Sequence, residues 1–127
     1  MTMSSTPTAV RRYLDGLNAL DPAAAEAAFA PNAIIHYPGM PPMSRDAFRA
    51  YLDQVKAALR GFEIREQETF VTEHGAAARW SFEATTKAGR TARCEGIDSW
   101  VIGPDGTIQE MDVYYDPAPL LRALQPA

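Results

Sequence analysis

Cysteine is nearly missing from this sequence: Cys94 is the single one, so no disulfide can form within the chain. Nothing therefore points to an oxidising compartment. Histidine is almost as scarce, and His36 and His74 stand far apart without metal-ligand spacing, so no metal site is expected. Lys and Arg total 12 against 16 Asp and Glu, giving a net charge of −4, and no segment gathers the cations into a stripe. Nucleic acid is thereby excluded as an expected partner, because phosphate binding needs clustered Lys and Arg. No apolar run approaches the ~20 residues of a membrane span. The opening MTMSSTPTAVRR also lacks the apolar centre of a signal peptide. A cytosolic chain without membrane association is expected. Gly103-Pro104-Asp105-Gly106 reads as a hairpin turn, not a phosphate cradle, and no nucleophile elbow or Ser/His/Asp pattern occurs. Cys94 has no basic neighbour in prospect and reads as a packing residue.

What is present fits one domain over residues 1–127, with residues 1–6 as a flexible N-terminus. Thr6-Pro7 signals a helix start, followed by Val10, Tyr13, Leu14 and Leu17 at the spacing of one buried face. Asp21-Pro22 repeats the signal, and the alanine run to Ala30, carrying Phe29, predicts a second short helix. Ala33 to Tyr37 predicts a strand stopped by Pro38-Gly39, and PGMPP a rigid loop. Ser44 caps a third helix with Phe48, Tyr51, Leu52, Val55 and Leu59 on its stripe and Gly61 at its end.

From Phe62 the pattern changes to four strands of about ten residues. They are divided at His74-Gly75, Lys87-Ala88-Gly89 and Pro104-Asp105-Gly106. Turns this short predict an antiparallel meander. A last short helix, begun by Asp116-Pro117, carries Leu120, Leu121 and Leu124. Helices followed by a meander predict an α+β fold: a curved sheet wrapped around three N-terminal helices, with an apolar pocket between the layers.

Alternation along strands assigns faces. One face of the strand near 91–102 carries Ala92, Cys94, Gly96, Asp98 and Trp100. The same rule puts Trp80 and Phe82 on the pocket wall, with Met111, Val113 and Tyr115 on the last strand. Asp98 is the acid among these apolar residues. Such a carboxyl finds partners, holds its proton or performs chemistry. A structural aspartate bound to backbone amides is the alternative.

Two segments carry a resemblance. RRYLDGLNALDPAAAEAAFAPNAIIHYPG resembles the opening of ketosteroid isomerases and SnoaL-like proteins of the nuclear transport factor 2-like superfamily, and GIDSWVIGPDGTIQEMDVYYD resembles their last hairpin. The likeness spans about residues 8 to 124 and implies the cone-shaped fold of that superfamily. It implies that Tyr13 stands at the isomerases' oxyanion tyrosine and Asp98 at their protonated aspartic acid. Their aspartate base is replaced by Tyr37, in His36-Tyr37-Pro38. Two supporting tyrosines are replaced by Phe29 and Leu52, which makes the pocket more apolar.

The resemblance implies a cofactor-free isomerase or cyclase acting on a small hydrophobic carbonyl compound of polyketide, terpenoid or steroid-like type. In that reading Asp98 and Tyr13 hold an enolate oxygen, and His36 or a water on Tyr37 moves the proton. If Tyr37 points inward, alternation turns His36 away; a proline-distorted strand end reverses this. A non-catalytic small-ligand-binding or dimerisation module is the alternative. A homodimer through the outer sheet face is also implied, with Arg79, Glu83, Arg93 and Glu95 making that face polar.

Overall fold

The computed structural model describes residues 6–125. The flexible terminus expected from sequence therefore lies, up to residue 5, outside the described residues. Helix α1, Thr8–Asn18, buries Val10, Tyr13 and Leu14. Thr6 does not cap it: Pro7 occupies that position, with no side-chain cap. The Thr6 hydroxyl instead donates to Glu66 Oε2 at 2.9 Å, and Arg11 pairs with the same carboxylate. The helix closes with Leu20 in the left-handed region at φ 50°, where Leu20 N–H donates to Leu17 O and Asp21 N–H to Gly16 O. This pair of bonds is the Schellman closure, which satisfies carbonyls the helix leaves free. A Cβ on Gly16 would stand 2.5 Å from the Ala25 nitrogen, so glycine is what lets α1 meet the next helix.

Helix α2, Pro22–Glu26, starts at Asp21, whose carboxylate accepts from Ala24 N–H at 3.1 Å. It stops short of the expected Ala30. Phe29 and Ala30 instead open strand β1, Phe29–His36, where Phe29 pairs with Ile108. Tertiary pairing overrides the helix preference of alanine here. After the two-residue strand β2, Met43–Ser44, the Ser44 hydroxyl caps α3, Arg45–Ala58, accepting from Ala47 N–H at 3.1 Å. Gly61 does not end α3. The chain turns extended at Leu59, and Gly61 lies inside β3, Leu59–Thr72, at an irregularity opposite Thr85. A glycine within a strand marks such a bulge.

Strands β4 (Gly75–Thr86), β5 (Thr91–Ile102) and β6 (Ile108–Tyr115) complete the meander, and α4, Ala118–Leu124, follows. The sheet order is β2-β1-β6-β5-β4-β3, antiparallel except where β1 runs parallel to β6. The expected faces hold. Trp80, Phe82, Cys94, Asp98, Trp100, Met111 and Val113 are buried against the helices. Arg79, Glu83, Arg93 and Glu95 are exposed on the other side. The result is an α+β fold whose curved sheet packs on α1 and α3. No helix among the described residues is long and apolar enough to cross a membrane.

Candidate functional site

A cavity of about 60 Å³ lies between the helices and the sheet. On the scale where one water needs roughly 10–15 Å³, that space accepts a few waters or a compact head group. Tyr13 and Leu17 reach it from α1, and Tyr51, Leu52 and Val55 from α3. Trp80, Phe82, Asp98, Val113 and Tyr115 form its sheet wall, and Tyr37 enters just beyond the end of β1.

Asp98 sits at the middle of β5, flanked across the ladder by Ala78 and Val113. These apolar side chains offer its carboxyl no hydrogen bond from directly across the ladder. Two residues back, Gly96 pairs with Trp80, and a Cβ there would stand 2.7 Å from Trp80 Cζ2. Glycine thus seats the indole beside the acid. Asp98 is only 2% exposed, and among the described residues its Oδ1 lacks a hydrogen-bond partner, as do the indole nitrogens of Trp80 and Trp100. Burial pushes the Asp98 pKa up to about 7, with the nearby Trp80 indole opposing the rise weakly. That indole lies near the carboxyl but makes no hydrogen bond of normal geometry to it, so desolvation dominates.

The phenols respond to the same dry surroundings. Burial raises the Tyr13 pKa well above its ordinary value; the Asp98 charge adds to the rise, and the Tyr37 hydroxyl opposes it. Tyr37 is likewise raised, by burial and then by Tyr13. Both stay protonated donors at neutral pH. Tyr13 is held edge-on to Phe29 with centroids 5.3 Å apart, and Phe29 packs on Phe48 at the same spacing.

Of the residues singled out from sequence, Tyr13, Tyr37, Leu52, Asp98, Trp80, Phe82, Val113 and Tyr115 meet at this cavity. Phe29, Trp100 and Met111 do not line it; they are buried core residues behind the wall. His36 is not brought there either. Its ring lies on the outer sheet face, with Nε2 3.0 Å from Glu110 Oε2 and 4.0 Å from Asp112 Oδ1. Regular alternation persists to the strand end, so Ile35 and Tyr37 face inward and His36 outward. His36, Glu110 and Asp112 form a half-exposed cluster with donor atoms within 4.8 Å. Sequence spacing hides it, because parallel pairing of β1 with β6 makes it. Sequence reasoning also missed the wall residues Leu17, Tyr51 and Val55, although all three stood on the helical stripes. Leu120 carried no such signal, since only the path of α4 brings it to the cavity.

Comparison with known proteins adds the following. The family model of the SnoaL-like domain matches residues 10–111. A steroid Delta-isomerase from Nocardioides simplex is 32% identical over 114 residues, covering 89% of this chain and 91% of that protein. The crystal structure of an NTF2-like protein from Burkholderia pseudomallei superposes with a TM-score of 0.82 at 17% identity, covering 98% of this chain and 100% of that one. That of a putative polyketide cyclase from Xanthomonas campestris pv. campestris gives 0.79 at 18% identity, covering 92% and 94%. At such identities the two structures speak to the fold alone.

Proposed function

We propose, for a chain that belongs to the SnoaL-like domain family, that it is an isomerase or cyclase acting on a small hydrophobic carbonyl compound through an enol. The reaction type accords with the steroid Delta-isomerase to which the chain is 32% identical. The observation that carries the reading is a buried carboxyl, its Oδ1 without a hydrogen-bond partner among the described residues, in an apolar cavity whose wall also carries the phenols Tyr13, Tyr37, Tyr51 and Tyr115. Tyr13 and Tyr37 donate to the carbonyl oxygen as negative charge develops on it. Asp98, with a pKa near 7, takes the proton from the α-carbon and returns it at a second carbon or to the product oxygen. The sequence assigned the proton to His36 or a water on Tyr37, with Asp98 as second donor; with His36 on the outer face, this reading gives the proton to Asp98 instead. With His36 outside, Asp98 is the one carboxyl lining the cavity among the described residues, so carriage of the proton falls to it.

The test is proton exchange at the α-carbon of enolisable ketones in heavy water, followed by NMR. The rate should rise through pH ~7 as Asp98 ionises, and Asp98→Asn should lower it on the order of 10²- to 10⁴-fold. Tyr13→Phe should cost about 10²-fold, the usual price of one oxyanion donor. Equal exchange by parent and Asp98→Asn would sink the mechanism. A second reading, a non-catalytic ligand-binding module, is favoured by the lack of any second carboxyl or any imidazole on the described cavity wall. It predicts ligand-dependent tryptophan quenching with no exchange at all.

A further inference from the structure

The outer face of the sheet carries a constellation that the cavity chemistry leaves unused. His36 ends β1 and pairs directly with Asp112 of β6, while Glu110, two residues before Asp112 on the same face, pairs with Ile34. Parallel pairing thus sets one imidazole beside two carboxylates from the other end of the chain. The extra methylene of Glu110 lets its carboxylate reach along the strand. Its Oε2 stands 3.0 Å from His36 Nε2, and Asp112 Oδ1 stands at 4.0 Å. One donor atom from each of the three lies within 4.8 Å of the others.

Two features separate this group from an ordinary surface ion pair. The first is charge. Glu63, Glu68 and Glu83 on the same side of the sheet each have an arginine. Among the described residues neither Glu110 nor Asp112 pairs with Arg or Lys. Across the ladder Glu110 meets Val101 and Ile34, and Asp112 meets Ser99 and His36. One imidazolium supplies a single positive charge against two carboxylates, whereas a dication balances both. The second feature is the donor set. An imidazole nitrogen with carboxylate oxygens suits borderline divalent ions, while Mg²⁺ and Ca²⁺ prefer oxygen alone. Around a tetrahedral ion with bonds of ~2.1 Å, neighbouring donors stand about 3.4 Å apart. The separations of 3.0 and 4.0 Å to His36 bracket that spacing. All three side chains are half-exposed, so small rotations close the remaining distance, while strand pairing holds their backbones.

We infer that His36, Glu110 and Asp112 form a binding site for a divalent transition-metal ion, with Zn²⁺ as its representative. Three protein ligands leave a coordination position open to water. The ligands come from two strands, so the ion pins β1 to β6 beyond the irregularity in their pairing between Phe29 and Ile34. The site faces away from the cavity and does not depend on the reaction proposed above. Histidine spacing in the sequence predicts no metal site, because here a single histidine is completed by acids that only the sheet brings near.

The experiment is calorimetric titration of the metal-free protein with Zn²⁺, in which one ion should bind per chain. His36→Ala and, separately, Asp112→Asn should each weaken binding at least about 10-fold. Both positions are half-exposed, so the fold should survive, and circular dichroism checks that it does. His74→Ala should leave the affinity unchanged, because His74 stands in the turn between β3 and β4, and β4 lies two strands from β6. Mg²⁺ and Ca²⁺ should bind far more weakly than Zn²⁺. Zn²⁺ at about 100 times its Kd should raise the folded-to-unfolded ratio in urea about 100-fold. At the same Zn²⁺ concentration His36→Ala should lose most of that gain. Absence of saturable Zn²⁺ binding would reduce the cluster to an ion pair and overturn the inference. So would binding that survives in both variants, binding lost in His74→Ala, Ca²⁺ held as tightly as Zn²⁺, or equal stabilisation of the parent and His36→Ala.

Discussion

Asp98 couples protonation to folding. Unfolded, its carboxyl releases a proton near pH 3.8, whereas the folded protein retains it to about pH 7. Between those values the folded state binds more protons, so stability falls as pH rises. Below pH 3.8 the carboxyl is neutral in both states and the cost is absent; above about pH 7 it is fully present. Asp98→Asn removes the titration while keeping the size of the side chain. The variant's advantage in urea unfolding should therefore grow by about 1.4 kcal/mol per pH unit across this window and then stay level. A difference that does not vary with pH would show that the carboxyl is not a buried acid. Strand parity was enough to point Asp98 inward. It did not reveal that Ala78 and Val113 are its neighbours across the ladder, because those contacts arise from the register of three strands.

The helices divide into those begun by side chains and those shaped by their neighbours. Ser44 caps α3 as its sequence signal indicates, so Ser44→Ala should destabilise the protein by about 1 kcal/mol, read by chemical denaturation. Thr6→Ala should leave the start of α1 intact, since Pro7 holds that position and Thr6 bonds to Glu66 instead. The boundaries that sequence missed have a common cause. The alanine run ends early because Phe29 pairs with Ile108, and α3 ends at Ala58 because Leu59 pairs with Thr86. Strand pairing satisfies backbone groups over many residues at once and outweighs propensities of a few tenths of a kcal/mol per residue.

At the level of the whole molecule, the outer sheet face is less polar than the sequence suggested. Arg79 pairs with Glu68 at 2.7 Å and Arg93 with Glu83 at 2.9 Å, as a charged face would have it. Yet Ile97, Val101 and Tyr114 on the same face are 48%, 47% and 61% exposed, with Ile34 and Phe70 beside them. Glu110 stands between Val101 and Ile34 in the ladder, so these exposed apolar residues alternate with charged ones on a mixed face. The homodimer implied by the family resemblance would cover these apolar residues together with the charged groups among them. Light scattering should then give the mass of two chains, and Ile97→Glu should shift it to one. A parent that runs as a monomer at all concentrations would refute that assembly.

The sequence by itself determined the layers of the fold, because hydrophobic period and turn chemistry are local properties. It also placed Tyr13 and Asp98 on inward faces, since parity follows from a single element. Tertiary structure alone decided which inward residues border a cavity and which are core: Phe29, Trp100 and Met111 point inward but meet other side chains first. It also decided the fate of His36, which β6 supplies with Glu110 and Asp112. These are matters of where separate elements come to rest, and the packing that fixes them acts between residues far apart in the chain.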